Sequence, residues 1–206
     1  VTEISNGAFK NNQTISKVTI PGSVKKIGEE AFYWSTVQNL TLCNGITEIG
    51  RLAFGLCNGL SVIEFPESVE YIGEDVLEDC QELEKIIVCN ELAVIGESAF
   101  SGCISAVDKK GFLIIAHRLF RYMDDVTNDE VVNIPDGVRK IDGYAFVGAE
   151  IAKTYVLPQS VEIISENAFK YCDGIENVEI LNDSIDIHSE AFNEIENLTV
   201  FAHEGS

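Results

Sequence analysis

Residues 72–80 read Ile72-Gly73-Glu74-Asp75-Val76-Leu77-Glu78-Asp79-Cys80, and the chain repeats this motif along its length. In each copy an apolar residue stands five positions after the leading isoleucine, and we name it the plug. Copies begin at Ile4, Ile27, Ile49, Ile72, Ile95, Ile141, Ile164 and Ile187. The plugs are Phe9, Phe32, Phe54, Leu77, Phe100, Phe146, Phe169 and Phe192.

The spacing of the plugs predicts a repeat fold. Subtracting their residue numbers gives steps of 23, 22, 23, 23, 46, 23 and 23 residues. Because 46 is twice 23, the register survives one irregular region. A fixed period of about 20–50 residues is typical of solenoids, and about 20–29 is the range of leucine-rich repeats. Each repeat is therefore expected to form one coil that contacts only its neighbours.

A second segment of each repeat alternates apolar and polar residues, which predicts a short half-buried strand. A following proline ends such a strand because proline has no N–H for the ladder. Stacked coils would align these strands in a parallel sheet, about 4.8 Å apart. A further apolar pair, such as Val69 with Ile72 or Leu92 with Ile95, predicts a second inner wall. The strand segments are Val18–Pro21, Leu40–Cys43, Ile63–Pro66, Ile86–Cys89, Val132–Pro135, Tyr155–Pro158 and Val178–Leu181.

The period predicts a single domain over residues 1–206, an α/β-type leucine-rich repeat solenoid. It has one short parallel strand per coil of about 23 residues, little regular helix and one inserted β-hairpin. Regular coils occupy residues 1–104 and 131–206. Because the chain starts inside a repeat and stops just after a strand, we expect it to be a piece of a longer protein.

Residues 105–130 form a variant coil. Two apolar runs, Gly111–Ile115 and Leu119–Met123, flank a polar joint at His117 and Arg118. This pattern predicts a β-hairpin in place of one coil's strand. Insertions in solenoids often lie on the binding face, but they also serve to cover the core, and both interpretations stay open.

The charge of the chain excludes several classes of partner. Its net charge of −20 argues against nucleic acid and anionic membrane surfaces, which both attract Lys and Arg. The longest apolar run, Phe112–Ala116, is far too short to span a bilayer, so no membrane insertion is expected. Acidic residues collect around the plugs, where a solvated face is the simplest interpretation. We expect a self-repelling monomer.

The sequence contains no recognisable catalytic, metal or cofactor motif. All six cysteines fall on repeat positions, which predicts free, buried thiols rather than a disulfide framework. The acidic run Asp124–Glu130 lacks the glycine that an EF-hand needs at its sixth position, so a polar loop is predicted. We therefore predict that the protein is not an enzyme and needs no cofactor or metal.

The combined motif resembles the BspA-type leucine-rich repeat. The ranges Phe65–Cys80 and Val88–Cys103 carry the resemblance best, and it covers nearly the whole chain. The chain departs from the pattern at Cys43, Cys89 and Leu181, which stand where other repeats have proline. The resemblance implies an interaction module of a cell-surface or secreted protein, in some cases an adhesin for host matrix or cell-surface proteins.

The resemblance also implies that the outward side of the strand sheet, the concave face of the family, binds the partner. This column is less acidic than the plug side and includes apolar residues, which can mark a protein interface. β-branched residues are also common in strands whether or not a partner binds there, so an interface and a plain strand preference both stay open. The outward positions are Lys17, Thr19, Asn39, Thr41, Val62, Glu64, Lys85, Ile87, Val131, Asn133, Thr154, Val156, Asn177 and Glu179.

Two functions remain at this point. The first is a non-enzymatic protein-binding module, and the alternative is a structural spacer or stalk that displays other domains. Binding predicts a partner that contacts the outward strand positions, whereas the spacer predicts no partner of its own. The sequence does not name the partner.

Overall fold

The computed structural model describes residues 1–202, which lie in two compact units, Val1–Ala106 (unit 1) and Val107–Ser206 (unit 2). In the part of the chain that the structure describes, each unit is a stack of short coils without α-helix. Two 3₁₀ turns, Ile104–Ala106 and Asp124–Val126, are the helical elements within residues 1–202. The solenoid prediction is confirmed, whereas the prediction of one domain over residues 1–206 stays a prediction.

Unit 1 alternates short and long strands. The short strands form one parallel sheet, ordered β1-β3-β5-β7-β9, and the long strands form two separate parallel pairs, β2-β4 and β6-β8. The strands are β1 (Glu3–Ile4), β2 (Lys17–Ile20), β3 (Lys26–Ile27), β4 (Asn39–Leu42), β5 (Glu48–Ile49), β6 (Val62–Phe65), β7 (Tyr71–Ile72), β8 (Lys85–Val88) and β9 (Val94–Ile95).

Unit 2 has the same alternation after an initial hairpin. Its long strands form one unbroken parallel sheet, β12-β14-β16-β18, and the other sheet is ordered β10-β11-β13-β15-β17. The strands are β10 (Phe112–Ile115), β11 (Arg118–Tyr122), β12 (Val131–Asn133), β13 (Lys140–Ile141), β14 (Thr154–Leu157), β15 (Ile163–Ile164), β16 (Asn177–Ile180), β17 (Asp186–Ile187) and β18 (Thr199–Ala202).

The plugs form a third wall that is neither strand nor helix. The amides of Phe32 and Phe54 donate to the next coil's carbonyls at Ala53 and Val76, over 2.8 and 3.0 Å. Residues two positions before and after most plugs adopt positive φ, which non-glycine residues rarely do. This alternation of conformation prevents a regular helix. Examples are Glu30, Trp34, Leu52, Leu56, Asp75, Asp79, Tyr144, Asn167 and Tyr171.

The walls enclose a narrow core in each unit. The rings of Phe32 and Phe54 stack at 5.4 Å between centroids in unit 1, and those of Phe146 and Phe169 stack at 4.4 Å in unit 2. Each coil supplies its own plug, and the six plugs from Phe32 to Phe169 are buried by the neighbouring coils, whereas Phe9 is exposed and Phe192 is half-buried. Ile49, Ile72, Ile141 and Ile164 are fully buried in the second wall, as the apolar pairs predict.

The predicted hairpin is present, and its second strand takes a definite place in the stack. Strands β10 and β11 are antiparallel and joined by Ala116 and His117, whose φ values of 47° and 62° suit a two-residue hairpin turn. Strand β11 pairs in parallel with β13, Leu119 opposite Ile141. The hairpin therefore continues the short-strand sheet, and residues 108–111 form no long strand.

Leu92 departs from its predicted inward position, because its side chain is 92% exposed. In the coils that have a proline after the long strand, the first residue of this apolar pair donates its amide to the carbonyl of that proline, as Val69 does to Pro66. Here Ala93 donates to Asn90 instead, which moves the turn one residue along the chain. Ala93 thus takes the inner position and Leu92 points outward.

Candidate functional site

The predicted binding residues lie on the long strands, at the positions that alternate with buried ones. In unit 1 the pairing register sets Lys17 beside Asn39 and Val62 beside Lys85. Seven of the eight predicted residues in unit 1 are exposed, and Ile87 is half-buried. The structure thus brings each unit's residues into rows on one sheet face, while their role in binding stays a prediction.

In unit 2 this face is less exposed than expected. Val131 and Asn133 are exposed, whereas Thr154, Val156, Asn177 and Glu179 are half-buried. Strands β14 and β16 lie inside a continuous sheet, where neighbouring side chains cover each other across the ladder. The exposed apolar residues of the predicted set are Val62 at 45% and Val131 at 53%.

Unit 1 has a break in its long-strand sheet between β4 and β6. At the start of β4, the amides of Gln38 and Asn39 both donate to the Ser16 carbonyl of the preceding coil, over 2.9 and 3.0 Å. The same arrangement recurs at β8, β14 and β16. Within residues 1–202 no such bond joins the Gln38 carbonyl to Ser61 or Val62.

The break is confined to the long strands. At the same junction of coils, the short strands β5 and β7 pair in register, with Ile49 opposite Ile72. The plug wall is also continuous there, since the amide of Phe54 donates to the Val76 carbonyl at 3.0 Å. The two coils are therefore hydrogen-bonded along two walls and open along the third.

The break opens a groove of about 470 Å³ on the strand face. Its lining includes four residues of the predicted set, together with Gln38, Leu40, Leu42 and Ser61, which the sequence analysis missed. Of the lining residues that the structure describes, Glu64 carries the only formal charge. The four predicted residues are Asn39, Thr41, Val62 and Glu64.

Unit 2 carries a smaller depression at the start of its strand face. A groove of about 350 Å³ is lined by Asn133 and Val156 from the predicted set, and by Lys110, Leu181 and other residues. Leu181, which stands where other repeats have proline, is 37% exposed. This depression is more apolar than the groove of unit 1, because Ile134, Pro135 and Pro158 also line it.

The plug side of unit 1 is acidic, as predicted. Arg51 pairs with Glu29 at 3.1 Å and lies 3.7 Å from Asp75. Burial raises the pKa of the Asp75 carboxyl above its ordinary value, and Arg51 opposes that rise. Burial likewise raises the pKa of Glu78, with help from the nearby charges of Asp75 and Asp79. These contacts are those of a solvated surface with ion pairs between coils.

All six cysteines are free. Four are buried, and their Sγ atoms donate to the plug carbonyl of an earlier coil, as Cys80 does to Phe54 at 3.1 Å. Burial raises the pKa of Cys103 and of Cys172 to about 12, so both thiols stay protonated at neutral pH. Cys43 and Cys89 are half-buried rather than buried, which corrects the prediction for those two residues.

The acidic run after the hairpin has a structural role at its first residue. The Asp124 carboxylate accepts hydrogen bonds from the amides of Ile151 and Ala152, over 2.6 and 3.2 Å. It thereby holds the segment that leads into β14. Among residues 1–202, no cluster of three or more His, Cys, Asp or Glu could hold a metal ion. Nor does any helix in that range have the length and apolarity to cross a membrane.

Comparison with known proteins identifies the repeat. The model of the BspA type leucine-rich repeat region matches in six copies, over residues 1–107 and 114–205. The chain belongs to the BspA-type leucine-rich repeat family. This membership confirms the resemblance carried by the plug motif. It also agrees with the prediction of an interaction module, since leucine-rich repeats generally bind proteins.

The BspA-type chain shares its fold with solved bacterial proteins. Pneumococcal vaccine antigen PcpA matches with a TM-score of 0.59 and 21% identity, over 98% of this chain and 67% of that chain. A leucine-rich repeat protein from Bacteroides ovatus matches with a TM-score of 0.57 and 20% identity, over 98% of this chain and 59% of that chain. A leucine-rich repeat protein from Eubacterium ventriosum matches with a TM-score of 0.59 and 14% identity, over 98% of this chain and 70% of that chain. This chain thus spans 59% of the Bacteroides ovatus structure. No curated protein matched.

Proposed function

We propose that the protein is a non-enzymatic protein-binding module of a cell-surface or secreted protein, and that it binds through the outward face of its long strands. The observation that carries the proposal is the groove between β4 and β6, since four predicted face residues line it. The proposed partner is a host matrix or cell-surface protein, and the module acts as a monomer.

The distribution of charge supports this face. The chain has 34 acidic and 14 basic residues, so a face with balanced charge stands out from the rest of the surface. In unit 1 the predicted set contains Lys17 and Lys85 against the single acid Glu64. A protein partner can approach such a face without the repulsion that the acidic plug side presents to other acidic surfaces.

Exposed apolar residues support the same face. Val62 lies at the groove and is 45% exposed, while Val131 is 53% exposed at the start of the unit 2 sheet. Apolar side chains of this kind supply the desolvated centre of protein interfaces. PcpA is named a vaccine antigen, which agrees with a location at the cell surface for proteins of this fold.

The test is capture of proteins from host-cell surface and matrix extracts by the immobilised protein and by the variants Val62→Arg and Val131→Arg. If a captured protein contacts Val62 or Val131, it should bind the variant of that residue at least about tenfold more weakly than it binds the original protein at physiological salt. The matched control is Val94→Arg, because Val94 is 62% exposed on the short-strand sheet.

Four outcomes would contradict the proposal. Full retention of the partner by both face variants would exclude the strand face, and an equal loss with Val94→Arg would make the effect nonspecific. Retention that disappears at physiological salt would indicate attraction to the acidic surface alone. Absence of any retained protein would favour the alternative, a spacer whose coils are hydrogen-bonded to one another and carry other domains.

A further inference from the structure

We propose that two neighbouring depressions in unit 2 bind a short segment of the protein partner, and that each depression takes one apolar side chain from it. This inference rests on the proposed function and names the chemistry of one contact within it. It is carried by the turn that replaces a strand in the variant coil, and by the apolar floors, the shared rim and the balanced charges of the two depressions.

The first step concerns the turn 108–111, which stands where a regular coil carries its long strand. The Asp108 carboxylate accepts a hydrogen bond from the Lys110 amide at 2.8 Å. Gly111 has a φ of 81°, and a Cβ there would collide with the Met123 carbonyl oxygen. The turn therefore has a defined conformation that a strand could not replace. Within residues 1–202 strand β12 pairs with β14 alone, so the strand face is open beside this turn.

The second step concerns the depressions themselves, which lie along β12. The first has a volume of about 240 Å³, and the buried rings of Phe112 and Tyr122 belong to its lining. The second is the depression of about 350 Å³ described above, where Ile134, Pro158 and Leu181 are apolar lining residues. Both volumes lie near or below the lower end of the range for small-molecule sites, about 300 Å³, so each suits a single side chain.

Each depression also has an exposed apolar residue at its edge. Val131 lines the first and is 53% exposed, and Leu181 lines the second and is 37% exposed. Covering these side chains would remove apolar surface from water, which stabilises a complex. An apolar floor within a polar rim is the arrangement of the centre of a protein interface.

The third step concerns the rim that the two depressions share. Lys110 and Asn133 line both of them, and both residues are exposed. The carboxamide of Asn133 offers two donor hydrogens and an acceptor oxygen, so it can bind a peptide group that joins two side chains of the ligand.

The spacing of the depressions fits a short extended segment. Val131 lines only the first and Pro135 only the second, and four residues span at most about 14 Å. In an extended peptide, side chains on one face recur every second residue, at steps of about 7 Å. A segment with apolar residues at alternate positions can therefore reach both depressions.

The fourth step concerns the charge. Lys110 is balanced by Asp129 in the lining of the first depression and by Asp136 in that of the second. The protein as a whole has a net charge of −20, so these linings differ from the rest of the surface. A balanced lining gives a charged side chain no local advantage, and it therefore favours an apolar segment over a charged one.

The experiment titrates the ¹⁵N-labelled protein with the peptide N-acetyl-Leu-Ser-Leu-Ser-Leu-amide and follows the backbone amide signals by NMR. We expect the largest shifts at Val131, Asn133 and Leu181. The peptide with lysine in place of each leucine should bind at least about fivefold more weakly at these signals, because it buries less apolar surface.

The variant Leu181→Ser should weaken binding of the leucine peptide about fivefold, because the second depression loses an apolar edge. Val131→Ser should weaken it about threefold through the first depression. The matched control is Leu92→Ser, since Leu92 is 92% exposed in unit 1 and lines neither depression. This control should bind the leucine peptide as the original protein does, and unchanged amide spectra would verify the fold of each variant.

Equal weakening by Leu181→Ser and Leu92→Ser would overturn the inference, because the peptide would then be adsorbing to any exposed leucine. Binding of the lysine peptide as tightly as the leucine peptide would also overturn it, since that would indicate general attraction to an acidic protein. So would the absence of shifts at both Val131 and Leu181.

The proposed function fails separately from this inference. If Val62→Arg abolishes capture of the partner while the leucine peptide leaves unit 2 unperturbed, the strand face binds but this contact is wrong. If the leucine peptide binds as expected while no host protein is captured, the depressions bind apolar segments and the proposed host partner is wrong.

Discussion

The coils of unit 1 meet at a glycine directly after the short strand, whereas the coils of unit 2 carry Asp142, Ser165 or His188 at that position. In unit 1 a Cβ added at Gly73 would lie 2.5 Å from the amide nitrogen of Arg51. That distance is too short for any side chain. In unit 2 the Asp142 side chain is completely buried and pairs with Arg118, whose Nε donates to Oδ2 at 2.9 Å.

The difference shows that one repeat position can have two physical roles. Where the regular coils of unit 1 carry this glycine, as at Gly73, the backbones approach so closely that no side chain fits. Where the preceding coil is the hairpin strand β11, the space holds a guanidinium and a carboxylate. The ring of Phe120 also packs against Arg118, with 4.8 Å between the guanidinium carbon and the ring centroid. The neighbouring coil, rather than the repeat motif, decides which residue the position accepts.

The largest effect should come from replacing the residue of unit 2 with that of unit 1. Asp142→Gly restores the repeat motif but leaves the largely buried Arg118 without its carboxylate. We expect a loss of about 3 kcal/mol in the free energy of unfolding, measured by urea denaturation.

The double variant Arg118→Met with Asp142→Gly should recover most of this loss, since the uncompensated charge is then gone. If Asp142→Gly alone were neutral, the ion pair would contribute nothing and the comparison would fail.

A reciprocal change tests the close approach in unit 1. Gly73→Ala should lower the free energy of unfolding by about 2 kcal/mol, because its Cβ must displace the backbone of Arg51. Ser165→Ala at the same repeat position of unit 2 should stay within about 0.5 kcal/mol. Thermal or urea denaturation of both variants measures the difference, and equal losses would show that the coils approach equally in the two units.

The cores of the two units differ in their number of buried thiols, and these thiols predict that the stability of the protein depends on pH. Unit 1 has three buried thiols, Cys57, Cys80 and Cys103, and unit 2 has one, Cys172. Burial raises the pKa of all four thiols in the folded protein. As the pH rises, the unfolded chain therefore loses these protons before the folded protein does. The contribution of the four thiols to the free energy of unfolding is fully present below about pH 8 and falls as the pH rises past the unfolded pKa of about 8.5.

Above pH 9 the free energy of unfolding of Cys80→Ala should fall less steeply with pH, by about 1.4 kcal/mol per pH unit. The reason is that this variant has one thiol fewer whose pKa differs between the folded and unfolded states. The measurement is urea denaturation between pH 7 and pH 10 under reducing conditions. Cys43→Ala is the matched control, since Cys43 is half-buried and lies outside the set of buried thiols. A slope that is the same in all three proteins would contradict the assignment to buried thiols.

Much of the fold was predictable from the sequence, because each residue of a coil meets the same surroundings in every repeat. The spacing of the plugs predicts the coils, the alternation in Ile63–Pro66 and its counterparts predicts the long strands, and the apolar pairs predict the second wall. These signals are local and recur at each step of about 23 residues. The outward rows of the candidate face follow from the same alternation.

The groove and the exceptions were decided by the tertiary structure. Pro66 follows β6 and Pro158 follows β14, yet β14 pairs with β12 while β6 does not pair with β4. A shift of one residue in a turn exposes Leu92, and Asp142 is tolerated because Arg118 lies in the preceding coil. Asp142 and Arg118 are 24 positions apart, and β4 and β6 belong to successive coils, so the fit at both places depends on how two coils stack. The sequence determined the repeat and its inward faces, and only the stacking of coils determined where the face opens.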